Sequence, residues 1–339
     1  MKRNHLALLA CPTCRESLSL SGDVGTPDNI GHGGLTCKLC EVSYPILGGI
    51  PRFVNNVGYT DSFEFQWRKH ATTQHDAQTG TKISEARFFE TTGWPRRLAG
   101  QTILEVGCGS GRFTSIAAST GATVVAIDGS RAVEATYAVV GREAHVLVVQ
   151  ADLHAMPFRA AGFDRVFCLG VLQHTPDPTA AFSELTSIVA DGGHLAIDVY
   201  ARRWWTYLLG TKYWIRPLVR GVDPPTLYRA CSQYIDVVWP LARILGRAPL
   251  GRYVCQLGLV PHYGVYNLNE PSLREWAILD LFDMLAPVFD RPQTIGTVRQ
   301  WFTGGNLEEV EVRYGWNGIV GRAQKRARQL APRSGLNAV

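Results

Sequence analysis

The sequence predicts an α/β protein: a doubly wound sheet that carries a small metal ribbon at its N-terminus and a helical insertion before its last strands. Three observations predict it. Between Gln101 and Tyr200, the short β-rich runs TILEV, TVVAI, HVLVV, DRVFCLG and HLAIDVY alternate with helix-length segments. That is the pattern of βαβ units around a parallel sheet covered on both faces. The first run leads straight into the glycine-rich turn Gly107-Cys108-Gly109-Ser110-Gly111. Upstream, Cys11-Pro12-Thr13-Cys14 and Cys37-Lys38-Leu39-Cys40 form two C-x-x-C pairs with 22 residues between them.

The elements follow in chain order. Residues 1–56 are Cys- and Gly-rich, with turn signals such as GTPDN and GHGG, and hold too little apolar material for a core of their own. A segment that small needs a metal or a partner to hold it. Residues 57–100 show helix-like spacing of Phe, Trp, Ile and Leu and read as a helical linker whose second helix Pro95 would end or kink. Residues 101–200 are the sheet core. Residues 201–290 are long, helical and aromatic, the character of an insertion. Residues 291–322 close the sheet with the helix-like TIGTVRQWF and the strand-like LEEVEVRY and NGIVGRA, and a basic tail occupies 323–339.

Composition sets the class. At 339 residues, 46% hydrophobic and 19% charged, the chain can form one large core plus an accessory module, which excludes a disordered protein. Its apolar stretches are broken well before the roughly 20 residues a bilayer span needs, and the opening MKRNHLALLACPTC has too short an apolar run for a signal peptide. A cytoplasmic location is expected. Of eight cysteines, four sit in the two pairs, while Cys108, Cys168, Cys231 and Cys255 are scattered among apolar neighbours, which suits a reducing compartment. The net charge of +5 is concentrated late in the chain. Residues 202–252 hold nine Lys or Arg against Asp223 and Asp236, and five more basic residues follow Gly321.

The glycine turn carries the chemistry. Glycines after a strand let the backbone turn tightly and approach a ligand. Asp128, 17 residues after Gly111 at the end of the next strand, can accept two hydrogen bonds from ribose hydroxyls. Asp152 follows the third strand. Each alone has a plain reading as a turn, a helix cap or a loop acid. Their strand-by-strand register points instead to a nucleoside-bearing ligand.

The run Glu105-Val106-Gly107-Cys108-Gly109-Ser110-Gly111 resembles the first motif of the class I S-adenosylmethionine-dependent methyltransferases, in particular the type 11 group. FDRVFCLGVLQHTPDP looks like that family's fourth strand and exit loop, and ELTSIVADGGHLAIDVY like its following helix, glycine turn and fifth strand. The resemblance implies a Rossmann-like core that binds S-adenosylmethionine through Glu105, Gly107, Cys108, Gly109, Gly111, Asp128, Gly129, Asp152, Leu153 and Gln173, with Asp128 on the ribose and Asp152 on the adenine amino group. A nicotinamide-dependent dehydrogenase is the rival, but the turn lacks the G-x-G-x-x-G register. Cys108 reads as a small packing residue within the turn, since methyl transfer from a sulfonium needs no protein nucleophile. His174, in the loop after the fourth strand, is the candidate general base.

Cys11, Cys14, Cys37 and Cys40 suit a closed tetrahedral zinc site, structural because no position stays open. The string CPTC with LTCKLCEVSYPILGGIPRFV resembles the zinc-ribbon family of the small activator subunit of tRNA and rRNA methyltransferases, and the ribbon fused to bacterial enzymes that modify rRNA guanine. Three readings fit the aromatic, arginine-rich insertion: a core of its own with solvated arginines, a wall for an organic acceptor, or a surface for RNA or an anionic membrane. The expected activity is methylation of a small or medium organic acceptor, a sugar or secondary metabolite. An RNA methyltransferase of the rRNA guanine type is the alternative; an N-P-P-Y tetrad is absent after the fourth strand, which counts against adenine and cytosine amines but not guanine. A donor-binding adapter without catalysis is a third class.

Overall fold

The fold is described from a computed structural model of the chain, in which residues 1–26, 28–54, 58–260 and 266–327 are described. Of the basic tail expected at 323–339, residues 323–325 belong instead to the last strand and those from 328 onward lie outside the described residues, as does the expected junction at residues 56 and 57. The N-terminal segment forms an antiparallel meander of β1 (Ser19–Gly25), β2 (Ile30–Cys37), β3 (Val42–Leu47) and β4 (Ile50–Pro51), paired in that order. Three helices follow: α1 (Asp61–Lys69), α2 (Asp76–Thr79) and α3 (Ile83–Thr92). α3 ends on Gly93, which takes the left-handed conformation at φ 67°. A glycine there closes a helix without Cβ strain, so Pro95 lies beyond the end it was expected to make.

The central layer alternates strand and helix: β5 (Thr102–Val106), α4 (Arg112–Ser119), β6 (Thr123–Asp128), α5 (Val133–Val140), β7 (Val146–Gln150), β8 (Phe163–Leu169), α6 (Pro178–Ile188) and β9 (Val189–Val199). The insertion then supplies α7 (Thr206–Leu209), α8 (Lys212–Val219), α9 (Pro224–Leu245), α10 (Gly251–Leu257) and α11 (Glu270–Leu285), and the chain returns through α12 (Ile295–Gly304), β10 (Leu307–Gly315) and β11 (Gly318–Lys325). The seven-stranded sheet runs β10-β11-β9-β8-β5-β6-β7, parallel except at the β10–β11 hairpin and its pairing with β9. The chain winds outward from β5 to β7 and restarts on the other side at β8. A crevice opens where the winding reverses, above the ends of β5 and β8.

Strand alternation sorts the core into two layers. Ile103, Val124, Val148 and Phe167 pack under Phe88, Phe113, Ala117 and Val133 of the α3–α5 face. Leu104, Val125, Leu147, Val166 and Leu195 pack against Phe182, Trp301 and Phe302 of α6 and α12. β9 begins at Val189, earlier than the glycine turn expected from the sequence. Gly192 and Gly193 lie inside it at an irregularity, where its pairing with β8 slips between Phe163 and Arg165. Side-chain caps start the later helices: Asp177 accepts from Thr179 N and Ala180 N, Asp223 from Thr226 N and Asn269 from Ser272 N, each with a proline in the first turn.

The N-terminal module does not stand apart. Leu9, Ile30, Leu35 and Ile46 belong to the same buried cluster as Leu147, Val149, Met156 and Phe158. Ala10 N donates to Pro157 O at 2.8 Å, and Phe53 N donates to Gln150 O at 2.8 Å. Arg52 Nη1 donates to Gln150 Oε1 at 2.6 Å, while the Gln150 amide nitrogen reaches Gly129 O at 3.3 Å. The missing core of the ribbon is thus supplied by the β7 edge. The insertion forms a third cluster around Leu227, Ile235, Trp239, Ile278 and Phe282, joined by Phe65 of α1. No described helix is long and apolar enough to cross a membrane.

Candidate active site

β5 ends at Val106, and the turn after it depends on glycine. Gly107 sits at φ 84° and Gly109 at φ 52°, a region L side chains seldom enter. A Cβ on Gly107 would overlap the Val171 side chain, and one on Gly109 would stand 2.9 Å from Trp67 Nε1. The turn is packed from above by α1 and from the side by the loop after β8.

Asp128 ties that turn to the tip of β6. Its Oδ2 accepts from Gly109 N at 3.0 Å, and its Oδ1 accepts from Ser130 N at 2.9 Å and Ser130 Oγ at 2.7 Å. Burial pushes its pKa up, with the Ser130 and Gly109 donors pulling the other way. Behind the turn, Glu105 is buried and accepts from Thr114 Oγ1 at 2.5 Å. Burial holds its carboxyl up to about 8 against the pull of Thr114. Arg112 opens α4 and donates to Ser84 Oγ at 2.7 Å and Gln74 Oε1 at 2.9 Å, so the α2–α3 segment grips the helix that follows the turn. Burial brings its pKa down to about 10, with Arg87 acting in the same direction.

A cavity of about 900 Å³ opens above these strand ends. Gly107, Cys108, Gly109, Asp128, Gly129 and Leu153 line one side, and Trp276, Leu279, Asp280 and Asp283 of α11 the other. His174 lines it as well. Its Nδ1 lies 2.9 Å from Phe289 O. A carbonyl oxygen only accepts, so Nδ1 carries a hydrogen, and in the neutral ring the lone pair is then on Nε2. Phe63 and Tyr200 hold the ring edge-on at centroid distances of 5.1 and 5.4 Å.

Four expected donor residues do not line the cavity. Glu105 is turned into the protein toward Thr114. Gly111 caps α4, and a Cβ there would meet Thr136 at 3.1 Å. Asp152 accepts from His154 N at 2.9 Å and caps a short turn, leaving its neighbours Ala151 and Leu153 to face the space. Gln173 is fully buried, its amide atoms without a hydrogen-bond partner among the described residues.

The structure adds groups that sequence spacing did not single out. Tyr59, Phe63 and Trp67 come from the linker region and wall the cavity. Arg87, from α3, donates through Nε at 3.1 Å and Nη2 at 2.7 Å to Asp198 Oδ2, while Asn317 Nδ2 donates to Oδ1 at 3.2 Å. Asp198 is fully buried. Asp283 accepts from Tyr200 OH at 3.0 Å and Gln66 Nε2 at 3.3 Å. Burial and the neighbouring Asp283 push Asp280 up to about 7. None of these pairings has a local pattern, since each joins elements distant in the chain.

Far from the cavity, the thiol sulfurs of Cys11, Cys14, Cys37 and Cys40 lie within 4.8 Å of one another. Cys14 and Cys37 stand 3.4 Å apart, and Cys11 and Cys40 3.9 Å. A tetrahedron with metal–sulfur bonds of about 2.3 Å has edges of about 3.8 Å.

Residues 104–197 match the family described as a methyltransferase domain, and residues 2–49 match the Trm112p-like proteins. Curated relatives include ubiquinone biosynthesis O-methyltransferases. The one from Azotobacter vinelandii is 37% identical over 134 residues, 37% of this chain and 56% of the relative. That from Ralstonia nicotianae is 34% identical over 130 residues, 37% of this chain and 55% of the relative. That from Aromatoleum aromaticum is 33% identical over 152 residues, 40% of this chain and 64% of the relative. The chain thus spans little more than half the length of these relatives.

Proposed function

Starting from a chain that carries a methyltransferase domain behind a Trm112p-like segment, we propose that it moves a methyl group from S-adenosylmethionine to a hydroxyl of a small organic acceptor. The observation that carries this reading is the Gly109 N to Asp128 bond across the glycine turn, at the floor of a cavity of about 900 Å³. Bound there, the donor supplies a methyl group already activated by its sulfonium.

The chain's own residues bind and orient. Gly107 and Gly109 keep the floor free of side chains, Asp128 accepts from the ribose hydroxyls, and Gly129 and Leu153 flank the base. His174 Nε2 takes the acceptor's hydroxyl proton as the oxygen–methyl bond forms and the sulfur–methyl bond breaks. Holding the two in attack geometry contributes on the order of 7–11 kcal/mol. Aromatic walls from Phe63, Tyr200, Trp205, Tyr266 and Trp276 favour a flat, ring-bearing acceptor within the sugar and secondary-metabolite range expected from the sequence. The relatives' printed activity, O-methylation, supports oxygen as the methylated atom.

Zinc in the four-cysteine cluster is part of the same proposal: the sulfur spacing suits the ion, and a fully thiolate shell gives it a structural role. None of the eight cysteines is in a disulfide, in keeping with the reducing cytoplasm expected from the sequence.

The test is methyl-labelled donor with purified zinc-loaded protein, offered catechols, phenols, sugars and total RNA in turn. Label in a small hydroxylated acceptor is expected. Label in ribonuclease-sensitive polymer would replace the acceptor class with RNA, and donor binding without acceptor-dependent turnover would leave an adapter. His174→Ala should lower kcat by 10²–10⁴, the usual range for a lost general base, while donor affinity stays unchanged.

A further inference from the structure

α9 is apolar on two faces. One face, Leu227, Cys231, Ile235, Trp239 and Ala242, is buried in the insertion's core. The other, Tyr234, Val237, Leu241 and Ile244, recurs at helical spacing and is left open, with Val237 80% and Ile244 67% exposed. Helices beside it continue the surface. Tyr234 OH donates to Gly258 O just past α10, Thr211 Oγ1 donates to Leu257 O at 2.8 Å, and Trp214 Nε1 donates to Tyr207 O at 2.9 Å. These bonds draw α7, the start of α8 and the end of α10 to the edge of the α9 face. Along them Trp204 is 84% and Leu218 81% exposed, and Leu209, Trp214 and Leu257 are about half exposed. A contiguous apolar surface of this kind marks an interaction site rather than ordinary exposure.

Charge selects the partner. Arg202, Arg220 and Arg247 are exposed just before α7, just after α8 and just after α9 and have no ion pair among the described residues, and the acids of the segment are engaged elsewhere: Asp223 caps α9 and Asp236 pairs with Arg274. Two copies meeting through this face would set like charges together, which opposes self-association. Trp204, Trp214 and Tyr234 offer rings on which nucleobases stack, but Val237, Leu241, Ile244, Leu218 and Leu257 are aliphatic and offer none. Leucines and tryptophans fringed by arginine are the composition of helices that lie in the headgroup boundary of an anionic bilayer. Leu209, Tyr253 and Leu257 belong both to this surface and to the cavity lining, so the cavity opens within it.

We propose that α7 to α10 dock the protein on an anionic lipid surface, with the mouth of the cavity facing the bilayer. The proposal rests on exposure and charge, independently of the methyl-transfer reading.

Sedimentation with vesicles tests it, using phosphatidylcholine alone or with about a third phosphatidylglycerol. The protein should co-sediment with the anionic vesicles at least tenfold more strongly, with binding weakened by salt and tryptophan emission shifted to the blue. Val237→Glu with Leu241→Glu should lower that binding at least tenfold while leaving donor affinity and melting temperature unchanged, because neither side chain lines the cavity. Equal binding by variant and parent, or no preference for anionic vesicles, overturns it. So does a dimer in sedimentation equilibrium that the variant dissociates, which would make the face a self-association surface.

Discussion

Replacing Asp128 by alanine isolates the group that holds both the glycine turn and, in the proposed complex, the ribose. In the free protein its two oxygens satisfy three donors, Gly109 N, Ser130 N and Ser130 Oγ. Two ribose hydroxyls donating to the carboxylate contribute about 1.5–3 kcal/mol each. Their loss predicts about 3–6 kcal/mol, or roughly 10²–10⁴ in the donor's Kd at 1.4 kcal/mol per decade. Burial raises the Asp128 pKa above its ordinary value. The same direction predicts that parent donor affinity falls as pH drops through the folded-state pKa, and that the variant loses this dependence. Calorimetric titration with the donor measures both, with metal content and melting temperature as controls on folding. Donor affinity within about threefold of the parent, on a folded variant, would refute the assignment of the ribose site.

Other perturbations probe the frame around that site. Replacing Cys11 and Cys14 together by serine should release one zinc per chain and lower the melting temperature; elemental analysis showing a metal-free parent would end the zinc reading. Arg87→Met strands the buried Asp198, a change of about 3–5 kcal/mol when a buried pair is broken, with the retained Asn317 bond favouring the lower figure; denaturant unfolding that finds less than about 1 kcal/mol would contradict it. Glu105 keeps its proton to about 8 when folded, against 4.5 for the ordinary group. Its stabilising contribution is therefore complete below 4.5 and lost as pH rises through that window. Glu105→Gln, which can still accept from Thr114, should match the parent at pH 4.5 and exceed it in stability at pH 8. Parallel unfolding curves at the two pH values would show the shift to be absent.

How much of this was legible depended on distance along the chain. The five parallel strands, the glycine turn, Asp128 and the cysteine pairs are written in short windows, because strand periodicity, left-handed turns and metal knuckles each need only a few neighbouring residues. Asp152 and Gln173 were placed in the site by analogy of position. The first satisfies the backbone of its own turn, and the second is sealed in the interior. Trp67 and Arg87 could not be read out. Trp67 meets Gly109, 42 positions on in the sequence, and Arg87 meets Asp198 only because α3 crosses the ends of the strands. Pro95 was a sound helix breaker, pre-empted by Gly93.

The contact between Arg52 and Gln150 bears on what counts as a separable part of this molecule. Family resemblance divides the chain after residue 49, yet Arg52 grips the Gln150 side chain whose nitrogen holds Gly129 O at the cavity floor. The end of the N-terminal meander and the cavity floor are thus joined through one side chain. Cutting the chain after residue 49 would leave Arg52 on the core side but expose Leu147, Val149 and Phe158 and strip Arg52 N of the Pro45 carbonyl that holds it. The four-cysteine segment is better regarded as the outer wall of the seven-stranded half than as a passenger on it.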